Sequence, residues 1–501
     1  MSDSTTQNGL TPMQRNLAFA GCFFLAISMA AFGLSLANIQ GPVLEQLGGM
    51  DAFSLVTSLT SASLCLMTPV GGSLMDSMGT KKLVLWFGLI NCACGILLAF
   101  AFSLPIYLIL RVVLSACMGA FASVPFIAVR QIYPAKDVPK FVGFLSAAIA
   151  VGGFVGSWGA GWLLDHGMTG IASAFPTIFL AIGIYLVVRY IPDSEIHPGN
   201  HMDWIGFVLL GICLFALVFW LNYGPTLGWG STFEIICGTL TIVSLIALIY
   251  AETKVKSPLI PLTLFKNNVY VIVLIITGLL SVYLTAINAY VPQAMQQLMG
   301  QAASISGTVQ IPRTILSILV PGIAGIWVAR KLSNYWKAFA LCAVFILVPM
   351  AFLVFIGPHM PVWFVFVMLG ITGVADPLRT VSSIPAAQML LKPKDLGIGT
   401  SLVGFIISLS GVLASSFFSI AYNDLVVATP GTVGMTQGID TVLLIAAVSA
   451  VIALLMSIFL FRPKFPKALA ALHTEMEQEE REKSGNKPTS FQKEASEHLI
   501  H

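Results

Sequence analysis

Gly72-Ser-Leu-Met-Asp76-Ser-Met-Gly79-Thr-Lys81-Lys82 is a short polar stretch between two long apolar runs, 53–75 and 83–104. It places one carboxylate, two glycines and a pair of lysines where a chain would leave a membrane and re-enter it. So few residues between two spanning helices leave no room for a connecting domain. The stretch therefore predicts a tight loop at a membrane surface, in which Gly72, Asp76, Gly79, Lys81 and Lys82 form a hinge or gate.

The whole chain has the composition of a protein that lies in lipid. It has 501 residues, of which 57% are hydrophobic and only 9% are charged, against about 25% charged residues in a soluble protein. A helix needs about 20 apolar residues to cross a bilayer, and its backbone polar groups must bond within the segment. The apolar runs predict fourteen spanning helices, at 16–40, 53–75, 83–104, 106–130, 141–164, 171–190, 204–223, 232–251, 269–295, 304–329, 338–357, 361–388, 398–423 and 441–461.

The basic residues predict the orientation. Of the 25 lysines and arginines, Arg111, Arg313 and Arg379 fall well inside predicted spans. The other 22, including Arg130 and Arg189 at the very ends of their spans, all fall on one side of the predicted membrane. Basic loops stay in the cytoplasm, so both termini are expected there, in a multi-pass protein of the cell membrane. The first apolar run is too long for the core of a cleavable signal.

A weak internal repeat suggests how the spans are grouped. Asn38 and Pro42 at the end of span 1 recur 250 residues later as Asn288 and Pro292 at the end of span 9. Two six-helix halves would explain the repeat, and spans 7 and 8 are then additional helices between them. The predicted fold is all-α. Its parts are a cytoplasmic N-terminal tail (1–14), a first half (15–190), two extra helices with linkers (191–267), a second half (268–462) and a cytoplasmic C-terminal tail (463–501).

The opening stretch resembles the loop between helices 2 and 3 of the major facilitator superfamily, and the two extra helices resemble its fourteen-helix drug:proton antiporter branch. The resemblance runs from about residue 15 to 462. It implies a major facilitator fold that moves a small organic molecule by alternating access, with Asp76 as a gating carboxylate. Efflux in exchange for protons is the function expected of this branch.

Two helices carry further motifs of the family. Arg111 in span 4 resembles an arginine implicated in proton handling. A buried arginine costs about 2.5–3.5 kcal/mol at mid-helix, so Arg111 should face the interior and have a partner; a structural ion pair is the alternative. Gly152, Gly156 and Gly161 in span 5 let helices approach closely and resemble the antiporter motif, although Ser157 replaces the proline of that motif.

Span 1 departs from the branch, which usually carries an aspartate where Gly33 stands, five residues before Asn38. Span 12 instead contains Asp376 and Arg379, which lie three residues apart and share a helix face. Charges inside a membrane mark substrate or proton pathways by default; the alternative is a self-satisfied pair that stiffens the helix.

Arg313 in span 10 could pair with this acid or meet an anionic substrate. Asn38, Gln40 and Asn288 are candidate hydrogen-bonding groups of the same pathway; the alternative is that they bond to neighbouring helices. We therefore weigh a second hypothesis, in which the cavity accepts an anionic or carboxylate-bearing organic compound.

Other functions have less support. All eight cysteines fall in predicted helices, without a histidine beside Cys92 and Cys94, so no metal site is expected. No glycine-rich nucleotide loop is present, which argues against a pump driven by ATP. The chain is expected to be a monomer without a cofactor. Its partners would be the bilayer, protons and a small organic substrate, but no nucleic acid. An importer, symporter or uniporter of an organic anion or steroid-like compound is the main alternative to efflux, and a membrane-embedded sensor or enzyme is a remote one.

Overall fold

The computed structural model describes residues 11–133, 138–191, 203–255, 262–357, 360–392, 396–428 and 431–484. All regular elements in these ranges are helical. Fourteen helical segments are long and apolar enough to cross a membrane, so the predicted number is confirmed for the part of the chain that the structure describes. The bundle has two ends. We call the end at which the first helix begins the near end, and the opposite end the far end.

The first half contains α1 (Pro12–Asn38), α2 (Gln40–Gln46), α3 (Phe53–Met78), α4 (Thr80–Leu98), α5 (Leu104–Phe121), α6 (Val124–Ile132), α7 (Val138–Asp165), α8 (Thr169–Ala174) and α9 (Thr177–Tyr190). The extra pair is α10 (Trp204–Leu227) and α11 (Thr232–Glu252).

The second half contains α12 (Asn268–Leu279), α13 (Val282–Thr285), a π-helical segment (Ala286–Tyr290), α14 (Val291–Gln297), α15 (Ala303–Thr308), α16 (Gln310–Ala329), α17 (Ser333–Leu353), α18 (Val362–Met389), α19 (Leu396–Ala428) and α20 (Thr432–Met456). A second π segment, Ser457–Phe461, joins α20 to α21 (Arg462–Ser484).

The start of α1 follows from local sequence. Thr11 is the N-cap: its hydroxyl accepts a hydrogen bond from the backbone of Gln14, and the Gln14 side chain accepts one from the backbone of Thr11. This reciprocal capping satisfies two backbone donors that a helix start leaves free, and Pro12 fits the first helical position because it has no N–H. The apolar helix that follows reaches the far end at Asn38.

The opening stretch is not the loop that the sequence predicts. Helix α3 continues to Met78, α4 begins at Thr80, and Gly79 alone reverses the chain, with φ 82° and ψ 153°. Glycine adopts this backbone conformation without the steric penalty of a side chain. The predicted boundaries were wrong because polar residues do not end a helix that leaves the lipid for water. The side chain of Asp76 and the surroundings of Gly72 lie outside the described part of the chain.

Helix packing forms the two halves and joins them along two seams. Helix α1 lies against α7 and α9 in the first half, and α17 lies against α18 and α20 in the second. Between the halves, α3 packs on α19, and α7 packs on α15 and α16. The extra helix α10 contacts both α3 and α19, so the pair covers one of the two seams.

Candidate transport site

A charged pair lies within α18. Arg379 donates a hydrogen bond through Nη2 to Oδ1 of Asp376 at 2.5 Å. The Arg379 side chain is buried, whereas that of Asp376 is 35% exposed. Helix α18 is packed between α16 and α17. Asp376 is therefore a partly exposed carboxylate within a spanning helix.

Arg313 on α16 lies next to this pair because Gly373 on α18 has no side chain. A Cβ at Gly373 would lie 2.6 Å from the carbonyl oxygen of Arg313, so only glycine permits this approach. The Arg313 guanidinium donates through Nη1 to Oδ1 of Asn288 at 3.2 Å and to Oε1 of Gln310 at 3.3 Å. Both acceptors are neutral. Arg313 forms no hydrogen bond with Asp376 among the described residues.

The π segment Ala286–Tyr290 brings Asn288 to this cluster. Such segments insert an extra residue into a helix and are frequent at functional sites. One turn earlier, Tyr283 is fully buried, and its hydroxyl has no hydrogen-bond partner among the described residues. The same holds for Nε and Nη1 of Arg379. Buried donors without partners are rare in proteins, so this cluster has the hydrogen-bonding capacity to hold an additional acceptor.

Arg111 is buried in the first half, in a separate cluster. Its Nη2 donates to Oε1 of Gln40 at 3.0 Å, and its guanidinium carbon lies 5.8 Å from the ring centre of Tyr107. Gln40 in turn donates through Nε2 to the carbonyl of Phe53 and the hydroxyl of Thr57, each at 2.9 Å. Arg111 forms no ion pair with a described residue, so an amide and an aromatic ring are the partners that the structure provides.

Asn38 lies between the halves rather than beside the charges. Its Nδ2 donates to the carbonyl oxygens of Ser157 at 2.9 Å and Ala303 at 3.1 Å. Its Oδ1 accepts from the hydroxyl of Ser306 at 2.6 Å and from Nε2 of Gln296 at 3.1 Å. Asn38 is buried, and all four bonds satisfy its amide. One side chain therefore ties α1 and α7 to α14 and α15.

A carboxylate at the far end of α7 strengthens this junction. Oδ1 and Oδ2 of Asp165 accept from the backbone N–H groups of Ala303 and Ser304, each at 2.9 Å. Nearby, the hydroxyls of Ser54 and Tyr290 are 3.3 Å apart. All hydrogen bonds that the structure describes between the two halves lie at the far end. We refer to the group around Asn38, Asp165, Ser54 and Tyr290 as the far-end seal.

The glycines of span 5 permit these close approaches. A Cβ at Gly152 would lie 2.4 Å from the carbonyl oxygen of Ile27, and one at Gly156 would lie 2.4 Å from that of Ala31, so α7 touches the backbone of α1. Gly161 contacts the other half, since a Cβ added at this position would lie 2.3 Å from the carbonyl oxygen of Ala303.

The predicted pathway residues thus fall in three places. Arg313, Asp376, Arg379 and Asn288 form one cluster, Arg111 lies in the first half, and Asn38 belongs to the far-end seal. Sequence reasoning missed several participants, which it passed over as ordinary polar or aromatic residues: Asp165, Tyr283, Gln296 and Ser306. It also passed over Glu234 and Asp440, acids that lie within the spanning helices α11 and α20.

Fourteen spanning helices in two packed halves, with charged residues inside the bundle, are typical of a membrane transport protein. The sequence model of the Major Facilitator Superfamily matches residues 20–415, and the chain therefore belongs to that superfamily. It is not an enzyme but a transporter.

The chain is similar in sequence to known resistance proteins and similar in fold to a solved transporter structure. Multidrug resistance protein 3 of Bacillus subtilis is 25% identical over 433 residues, 82% of each chain. The methylenomycin A resistance protein of the same organism is 23% identical and covers 82% of this chain and 90% of the relative. The solved structure of the POT family transporter PepTSo superimposes with a TM-score of 0.63 at 15% identity, over 89% of this chain and 98% of that one.

Proposed function

We propose that this transporter exports small organic compounds from the cell in exchange for protons, by alternating access between its two halves. The observation that carries the proposal is the Asp376–Arg379 pair, which provides an accessible titratable group inside a spanning helix. The resistance proteins among its relatives support export of organic compounds.

The near end is proposed to face the cytoplasm, because the basic residues of the predicted loops all lie on that side. The far-end seal then lies on the outer side of the membrane. Transport requires this seal to open in every cycle while the near end closes. Asp76, Lys81 and Lys82, at the near-end turn between α3 and α4, are proposed to hold the near end closed in the opposite conformation.

The charged cluster suggests how a proton and a substrate could compete. When Asp376 is ionised, it holds Arg379 through a charge-assisted hydrogen bond. When a proton from outside neutralises Asp376, this attraction is lost, and the buried guanidinium is left with an unbalanced charge. Proton binding and substrate release together then favour the conformation that is open to the cytoplasm, and the proton leaves from there.

Flux across a defined membrane tests the proposal. The purified chain is reconstituted into proteoliposomes, and the flux of a lipophilic cation such as ethidium is followed with and without an imposed pH gradient. Exchange predicts uptake against the substrate's concentration gradient when the compartment receiving substrate is the more acidic one. Equal flux in both conditions would exclude protons as the driving ion.

A second candidate function is import, symport or uniport of an organic anion, and two observations favour it. Arg313 has only neutral hydrogen-bond acceptors, and two nitrogens of Arg379 have none among the described residues. Helix α1 also has Gly33 where the antiporter branch has its acid. Two results would favour this function over drug export. Arg313→Gln would reduce the flux of organic anions at least tenfold, and the flux of lipophilic cations would stay near background.

A further inference from the structure

An apolar groove lies on the lipid-facing side of the first half, between α4 and α9. Its volume is about 520 Å³, and its walls are almost entirely apolar. Leu89, Ile96 and Tyr185 line it and are 49%, 50% and 66% exposed, so the groove opens outward from the bundle. It is separate from the charged cluster and from the far-end seal.

The groove has the length of one leaflet. It extends from Ile96 to Leu85 along α4, which are eleven residues apart and therefore span about 17 Å at 1.5 Å per residue. The hydrocarbon core of a bilayer is about 30 Å thick. The groove thus runs from near the bilayer centre to the headgroup region at the near end, the path that one acyl chain follows.

The near-end mouth of the groove is cationic. Arg189 lines the groove in the last turn of α9, and it forms no ion pair with a described residue. Two contacts fix the antiparallel register of the helices: Gly95 lies against Thr177, and Gly88 lies against Ile184. In both contacts the two residue numbers add up to 272, and a constant sum means that the two antiparallel helices keep one register along this stretch. The same register places exposed Lys82 on α4 at the level of Arg189 and Tyr190 on α9.

We propose that this groove is a binding site for an anionic phospholipid, with one acyl chain along the groove and the phosphate beside Arg189 and Lys82. The acyl chain packs against the apolar walls of the groove by van der Waals contact. This contribution is the same for lipids that have the same chains. The two cations therefore determine the preference, because they attract a headgroup with a net negative charge. The site is independent of the transported compound.

Lipid binding to the full-length, delipidated protein tests the proposal. Palmitoyl-oleoyl phosphatidylglycerol and phosphatidylcholine have the same chains and differ in net charge. Each is titrated into the detergent-solubilised protein, and bound lipid is measured by native mass spectrometry. Arg189→Gln removes a charge at the mouth, and Ala181→Phe fills the groove from an exposed position on α9.

Matched controls are available elsewhere on the surface. Lys254→Gln removes an exposed cation that, like Arg189, lies over a tyrosine ring, with Nζ 5.7 Å from the centre of Tyr250, but lines no described groove. Val448→Phe enlarges a lipid-facing side chain on α20 that is 49% exposed.

The expected result separates charge from shape. Arg189→Gln should weaken phosphatidylglycerol binding about fivefold, the equivalent of about 1 kcal/mol for one basic residue at an anionic surface, and leave phosphatidylcholine binding unchanged. Ala181→Phe should weaken both lipids, and neither control should weaken either. Free glycerol phosphate should not compete, because it has no acyl chain. The proposal would be overturned if Arg189→Gln and Ala181→Phe bound phosphatidylglycerol as strongly as their control variants do. Competition by glycerol phosphate would also overturn it.

Discussion

Asp165 accepts a hydrogen bond from the backbone N–H of Ala303 at 2.9 Å, and this bond crosses from one half of the protein to the other. The second oxygen of the carboxylate accepts from the next residue of the same helix start. A helix start presents free N–H groups and a partial positive charge, so an aspartate is well suited to hold it. Every opening of the far end must break both bonds.

Asp165→Asn should shift the protein toward the conformation with an open far end. Asparagine keeps one acceptor but loses the charge and the second acceptor, and a hydrogen bond to a charged group contributes about 1.5–3 kcal/mol. We expect roughly a tenfold or larger change in the ratio of the two conformations. Pulsed electron paramagnetic resonance between spin labels at Glu45→Cys and Thr432→Cys measures the ratio, since both positions are exposed at the far end on opposite halves.

Asp51→Asn is the control, because Asp51 is an exposed acid at the same end without a described bond to the other half. Seven native cysteines are buried, and Cys92 is half-buried, so Cys92 is replaced by alanine to avoid unwanted labelling. A distance distribution in Asp165→Asn that equals that of Asp51→Asn would show that the carboxylate does not hold the seal.

Gly156→Ala should destabilise the fold, whereas Gly325→Ala should not. A Cβ at Gly156 would lie 2.4 Å from a backbone oxygen of α1, while a Cβ at Gly325 on α16 meets no atom within 4 Å. Overpacking of this kind costs about 1–3 kcal/mol. Melting temperatures in detergent should therefore fall for Gly156→Ala and stay equal or rise for Gly325→Ala. Equal melting temperatures would contradict the tight contact between α1 and α7.

Gly33→Asp should introduce a second titratable group without disturbing the packing. Gly33 is exposed, and a Cβ there meets no atom within 4 Å, so a carboxylate fits on the open face of α1. The family resemblance places an acid at this position in drug exporters. We expect increased transport of cationic compounds and a steeper dependence on the pH gradient, measured as flux in proteoliposomes. Gly322→Asp is the control, since its position on α16 is also open.

Sequence patterns predicted the elements well and the contacts between them poorly. Hydropathy predicts fourteen spans because each helix must satisfy its own backbone in lipid, a local requirement. The turn at Gly79 was misjudged because a helix may continue into water. The roles of Asn38 and Arg313 depend on which carbonyl or amide lies opposite them, and residues such as Ala303 and Asn288, far away in sequence, provide these partners. Side-chain type alone does not specify such partners.

Asp76→Asn should leave membrane insertion intact and reduce transport sharply. This prediction rests on the position of Asp76 in the last turn of α3, directly before the turn at Gly79, and on the family resemblance. Amounts of protein in the membrane are compared by immunoblot, and transport is compared as flux per mole of protein. Glu475→Gln is the control, because Glu475 pairs with Lys392 at the same end at 2.8 Å without a proposed gating role. Wild-type flux in Asp76→Asn would remove the carboxylate from the gate.

Asp376→Asn should separate proton coupling from substrate binding. Asparagine keeps the size of the side chain and its hydrogen-bonding oxygen but cannot exchange a proton, and Arg379 then remains buried without an opposite charge. We expect flux driven by a pH gradient to fall at least tenfold. Substrate binding, measured by equilibrium dialysis, should change less and lose its dependence on pH. Asp424→Asn, at an exposed position of α19, should behave like the wild type in both measurements. If Asp376→Asn keeps a full response to the pH gradient, the coupling proton binds elsewhere, and Asp440 within α20 is then the next acid to test.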